Sequence, residues 1–151
     1  MGERQQFQIW TDGACRGNPG PGGWGYISRS ASGDESSQYD AEQQTTNNRM
    51  ELMAVIEALR SLPGSSQVQL FSDSQYVIKG MKEWIVGWQR RGWRKSDGKP
   101  VVNDDLWKQW IEIAALHDIQ WEWVRGHSGH EENERCDGVA NRAIDEASWA
   151  P

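Results

Sequence analysis

Apolar residues recur along the chain with two different periods, and the switches between them outline the fold. Phe7 to Thr11 is a short apolar run read as a strand, and the Gly/Pro-rich stretch RGNPGPGG after it reads as a turn. Trp24 to Arg29 and Ser36 to Glu42 read as the next two strands, joined around Gly33-Asp34. From Asn48 to Leu62 the period becomes helical: Leu52, Val55, Ile56, Leu59 and Leu62 share a face, and Pro63-Gly64 ends it. Val68 to Ser72 is a buried strand. Ser74 to Gly80 and Trp84 to Arg90 read as two short helices, the second broken at Gly92, and 95–102 reads as a loop. Asn103 to Leu116 is helical, capped by Asn103 or Asp104, with Leu106, Trp107, Trp110, Ile111 and Ala114 inward. Ile119 to Val124 is a strand, 126–129 a loop, and Glu132 to Ala147 a last helix that buries Cys136, Val139, Ala140, Ala143 and Ile144.

This order predicts an α/β fold. Three antiparallel strands lead into helix-connected, parallel ones, so the sheet is mixed and covered by helices. With 151 residues and no repeat or linker, one domain is expected over 1–151. The mean hydropathy of −0.82 is very polar, yet ten Trp supply apolar surface enough for a folded core. There is no apolar leader and no membrane-length window. The two cysteines, Cys15 and Cys136, lack disulfide or zinc-ligand spacing. A soluble, cytoplasmic monomer is the default expectation.

Charge changes the picture locally. The net charge is −6, which argues against a nucleic-acid partner. Residues 79–99, however, carry Lys79, Lys82, Arg90, Arg91, Arg94, Lys95 and Lys99 against only Glu83 and Asp97. Trp84, Trp88 and Trp93 interleave with this basic run. Trp84 and Trp88 could form a packing face, but aromatic and basic residues together mark a nucleic-acid surface.

Four carboxylates stand in distinctive settings: Asp12 in WTDGACRGNPG, Glu51 in TTNNRMEL, Asp73 in FSDSQY and Asp137 in ENERCDGVAN. Each has a plain alternative. Asp12 could start an Asp-Gly turn, Asp73 could cap the helix after it, and Glu51 could complete an Asn48-x-x-Glu51 capping box. Asp137 is harder to dismiss, because an aspartate inside a helix beside a buried stripe wants a partner. Asp12 and Asp73 end strand-like runs, where sites of open α/β sheets gather. Gathered together, the four would need a cation, and a pair of divalent metals is the usual answer. His127, in GHSGH, suits proton transfer near neutral pH; a surface histidine is the plain reading.

Together TDGACRGNPGPGGWG, TTNNRMEL, SDSQYV, WQRRGW, KPVVNDDLW and WVRGHSGHEENERCD resemble type 1 bacterial ribonuclease H, in order and across almost the whole chain. The resemblance implies a ribonuclease H-like, five-stranded mixed sheet in the order 3-2-1-4-5 and cleavage of the RNA strand of RNA–DNA hybrids. It implies two Mg²⁺ ions, with Mn²⁺ as a substitute, held by Asp12, Glu51, Asp73 and Asp137, and a loop role for His127 in proton transfer or product release. It also implies that Cys15, Asn18, Asn48 and Gln75 read the RNA strand and that Trp84, Trp88 and the run Arg90, Arg91, Trp93, Arg94, Lys95 cradle the DNA strand. Thr46, Asn103 and Arg29 would hold a DNA phosphate. The acidic net charge, Val102 and Glu131 depart from the family pattern and imply weaker hybrid binding. Another nuclease on this fold, and a non-catalytic hybrid-binding module, are the rival readings.

Overall fold

The computed structural model describes residues 5–124 and 131–147. Five strands form one mixed sheet in the order β3-β2-β1-β4-β5, as expected. They are β1 (Gln5–Cys15), β2 (Gly20–Ser30), β3 (Glu35–Thr45), β4 (Ser66–Ser72) and β5 (Asp118–Trp123). β1 pairs antiparallel with β2 and parallel with β4, and β5 lies parallel to β4. The parallel pairing of β1 with β4 ends at Trp10↔Phe71, whereas the antiparallel pairing with β2 continues through Asp12↔Gly25 to Cys15↔Gly22. Beyond Trp10, β1 therefore has a partner on one side only, and the sheet opens there.

Helix α1 (Asn47–Arg60) covers one face. Its apolar stripe, with Leu52, Val55, Ile56 and Leu59, is buried with Ile9, Val68 and Leu70 of the sheet and with Trp107 and Trp110 of α4 (Asp104–Ala114). Helix α5 (Glu131–Asp145) covers the other face over β1 and β2, where Cys136 joins Trp10 and Ile27. Among the described residues no helix is long and apolar enough to cross a membrane.

Two boundaries differ from those expected. β1 runs on to Cys15, and Gly20 to Gly23 belong to β2, so only residues 16–19 turn. Glycine is needed at two β2 positions because helix α5 lies close against the strand there. A Cβ on Gly23 would strike the carbonyl of Ala140, and one on Gly25 would strike Val139. Glycine in a strand marks such an approach. The two short helices after β4 are also one continuous rod. α2 (Gln75–Lys79) passes through a π-helical turn (Gly80–Trp84) into α3 (Ile85–Arg90). Gly80 lies flat on the Trp107 ring, and the wide turn keeps the chain helical there.

Gly13 is the close contact that bears on the site, since a Cβ there would run into the backbone of Met50 and Glu51. Gly13→Ala is expected to destabilise the protein by about 1–3 kcal/mol through overpacking. Thermal denaturation followed by circular dichroism measures this, and an unchanged Tm would show that α1 does not press on β1.

Candidate active site

Three carboxylates converge at the open end of the sheet. Asp12, Glu51 and Asp73 each offer an oxygen within 4.8 Å of the other two. Asp12 and Glu51 are buried, and Asp73 is half-buried. Asp137 shares the same open pocket, of about 390 Å³. Each acid arrives on a different element. Asp12 is inside β1, Glu51 is in the second turn of α1, Asp73 directly follows β4, and Asp137 follows the buried Cys136 in α5.

The plain readings of Asp12, Glu51 and Asp73 give way. Asp12 is a strand residue, although its Oδ1 does accept from the N–H of Gly13 at 2.9 Å. α1 is capped by Thr46, whose hydroxyl accepts from Arg49 N–H, so Glu51 completes no box with Asn48. Glu51 instead accepts from Gly13 N–H at 2.5 Å, across to β1. The cap of α2 is Ser74, which leaves Asp73 to the pocket. Cys136 sets the depth of Asp137: its thiol lies between the carbonyl of Trp10, two residues before Asp12 in β1, and that of Gly25, the partner of Asp12 in β2.

Burial, followed by the neighbouring charge of Glu51, pushes the Asp12 carboxyl far above its ordinary range. Burial likewise raises Glu51, with Asp73 adding repulsion against the hydrogen bond from Gly13 N–H. Without a counter-charge the site must hold protons. With one, four hard oxygen donors from four elements fit an oxygen-liganded divalent cation such as Mg²⁺ and suit no soft metal.

The expected substrate residues fall into groups. Asn48 and Gln75 line the carboxylate pocket. Asn18 accepts from the first N–H of α1, Asn47, at 3.1 Å, and the Cys15 thiol faces the carbonyls of Gly20 and Thr45, so both stand at the N-terminus of α1. Thr46 and Asn103 meet through Arg49, which donates to Asn103 Oδ1 at 3.1 Å and pairs with Asp105 at 2.9 Å. Trp88 is half-buried against Trp107 and Trp93, so packing explains part of its presence. Trp84 is 36% exposed, and Arg90, Arg91, Arg94 and Lys95 are exposed around it.

Arg29 does not join Thr46 and Asn103. β2 faces Thr45 at Gly20 and Glu35 at Arg29, nine residues farther along, roughly 30 Å at the rise of a strand. There Arg29 pairs with Glu35 and Glu132 and lies over Trp10. His127 lies outside the described residues. Gly13, Arg49 and Tyr76 also shape the site. Tyr76 lines the pocket and accepts from Asn103 and Trp107, but a lone tyrosine after Gln75 carries no pattern that would single it out.

The RNase H family model matches residues 4–145. Ribonuclease H of Bordetella bronchiseptica is 55% identical, over 97% of this chain and 94% of its own. Among solved structures, LC9-RNase H1, a type 1 RNase H with the type 2 active-site motif, superposes with a TM-score of 0.84 at 34% identity, over 95% of this chain and 74% of that one. LC11-RNase H1 in complex with RNA/DNA hybrid gives 0.71 at 26% identity, over 92% and 96%. With its four acids assembled on this sheet and these likenesses spanning nearly its whole length, the chain belongs to the ribonuclease H family.

Proposed function

We infer that this protein is an endonuclease that hydrolyses the RNA strand of RNA–DNA hybrids. The observation that carries the reading is the convergence of Asp12, Glu51, Asp73 and Asp137 from four separate elements on one open pocket. Water adds across the P–O3′ bond, so the products carry a 5′-phosphate and a 3′-hydroxyl. Divalent cations held by the four carboxylates supply the Lewis acidity that this displacement requires, as a pair in a two-metal mechanism. Mg²⁺ suits the all-oxygen donor set, and Mn²⁺ can replace it.

The chain's own groups do the rest. Gly13 N–H holds Glu51 in place against the repulsion of its neighbours. The amides of Asn48 and Gln75, with Cys15 and Asn18 beside them, face the RNA strand. An amide can both donate to and accept from a 2′-hydroxyl, the group that separates RNA from DNA. Trp84, Trp88 and Trp93 with Arg90, Arg91, Arg94 and Lys95 hold the other strand by stacking and charge. Thr46 and Asn103 take one of its phosphates. His127 moves a proton or assists product departure.

End-labelled hybrid, duplex RNA, duplex DNA and single-stranded RNA, each with Mg²⁺ or EDTA, test the reading. Internal cuts only in the RNA of the hybrid, and only with metal, are expected. Cuts in duplex DNA would point to another nuclease on this fold, and tight hybrid binding without cuts to a binding module.

Asp12→Asn separates catalysis from stability. It is expected to lower the cleavage rate at least about a hundredfold, since it removes a ligand charge. Asp12 and Glu51 titrate in the folded chain well above their ordinary values of 3.8 and 4.5. Between the unfolded and folded values the native state binds more protons, so metal-free stability falls as pH rises from about 4. Asp12→Asn removes part of that penalty. Its Tm in EDTA should exceed the wild type's at pH 7–8, and the difference should shrink toward pH 4. A lower Tm at pH 8 would contradict the electrostatic account.

Neutralising Arg90, Arg91, Arg94 and Lys95 should raise KM and reduce the slope of log KM against log salt by up to about four charges' worth. An unaltered slope would remove this segment from the binding surface. His127→Ala should slow turnover by roughly ten- to a hundredfold without abolishing it. A wild-type rate would return His127 to a surface role.

A further inference from the structure

Beside the carboxylates, one hydroxyl joins two helices and reaches a third. Tyr76 Oη in α2 lies 3.1 Å from Asn103 Nδ2 and 3.0 Å from the indole Nε1 of Trp107 in α4. On its other side Asn103 Oδ1 accepts from Arg49 Nη1 in α1 at 3.1 Å. The two end members set the direction of every bond. A guanidinium and an indole N–H can only donate. Arg49 therefore selects Oδ1 as the acceptor of Asn103, which turns Nδ2 toward Tyr76. The Tyr76 oxygen then accepts twice, and both of its lone pairs are taken. Trp107 is fully buried, so its N–H has no recourse to water.

What this chain of bonds holds is unusual. Asn103 has left-handed backbone, φ 64° and ψ 26°, at the N-cap of α4, yet its side chain does not cap the helix. A non-glycine residue keeps such a conformation only where its surroundings over-determine it. The network leaves the second N–H of Nδ2 uncommitted among the described residues. It does so where the first turns of α1 and α4 meet, since Arg49 of one pairs with Asp105 of the other. The nearby acids are already matched, Asp105 by Arg49 and Asp104 by Lys108.

We propose that Tyr76 is a positioning residue for substrate binding: its hydroxyl locks the Asn103 amide in the orientation that leaves an N–H for a backbone phosphate of the bound nucleic acid. The inference rests on the assignment of Asn103 to a phosphate under the proposed function. Asn103 does not itself line the carboxylate pocket, so the effect falls on binding rather than on the chemical step.

A double-mutant cycle tests it. Tyr76→Phe keeps the ring between Trp84 and Trp107 and removes only the hydroxyl. It should raise KM for the hybrid about tenfold, the effect of misaligning one hydrogen bond to a charged group, with kcat within about threefold of wild type. In an Asn103→Ala background the same change should add less than about twofold to KM, because the group it acts through is gone. Its effect on Tm should persist there, because Trp107 loses its acceptor in either background. Asn103→Asp, of the same shape, removes both N–H donors, the one that reaches Tyr76 included, while leaving the Tyr76 side chain itself in place, and should raise KM at least as far as Tyr76→Phe. An unchanged KM in Tyr76→Phe or in Asn103→Asp, or an equal increase from Tyr76→Phe in both backgrounds, would overturn the proposal. Hybrid affinity measured by fluorescence anisotropy in EDTA reads the same cycle without cleavage. A wild type that bound but did not cut would fail the functional reading while this test still returned its answer.

Discussion

Carboxylates crowded within 4.8 Å repel one another, and the architecture around them serves to hold them there regardless. The restraint comes from apolar packing and close backbone approach, because the acids themselves contribute only a penalty in the absence of a counter-charge. Helix α1 is driven onto the sheet by its buried stripe and lands where Gly13 offers no side chain, so Glu51 meets a backbone N–H of β1. Helix α5 is driven onto the other face through Cys136, Ala140 and Ala143, and it comes close because Gly23 and Gly25 offer none either. The acids are delivered by elements whose positions are settled elsewhere. The resulting site holds unspent electrostatic energy, which a divalent cation can draw on at once.

The same economy governs the substrate side. The continuous rod of α2, the π-helical turn and α3 begins at Gln75 beside the acids and ends among exposed arginines. One stiff element thus carries an amide at the carboxylate pocket and exposed positive charges at its far end. Its fixed point is Trp107, fully buried, against which Gly80, Trp88 and Tyr76 all pack. The basic segment adds charge locally to a chain that is acidic overall, so attraction to a polyanion is concentrated where that rod ends.

Much of this was legible in the chain before folding. The switch from alternating to helical periodicity located every strand and helix to within a few residues, since burial on one face imposes that period directly. The ends were less legible. Nothing in RGNPGPGG shows that β2 begins at Gly20, and the close contact that needs glycine at position 23 comes from a helix more than a hundred residues later. The break expected between Gly80 and Trp84 was absent for a similar reason: Trp107 supports the turn from outside the segment. Arg29 was misplaced because a motif can place a residue in a strand but cannot say which end of that strand faces the site; the pairing register decides this.

By itself the sequence determined the order of the elements, the identity of the four acids and the basic-aromatic segment, because each is written in local pattern or in residue chemistry. Only the tertiary structure decided that Glu51 and Asp73 join the carboxylate cluster rather than cap helices, that Thr46 and Ser74 take the capping bonds, and that Tyr76 is tied to Asn103 and Trp107. Those outcomes are choices between partners for the same polar atom. Local sequence offers each atom several partners, and long-range packing brings one of them within hydrogen-bond distance.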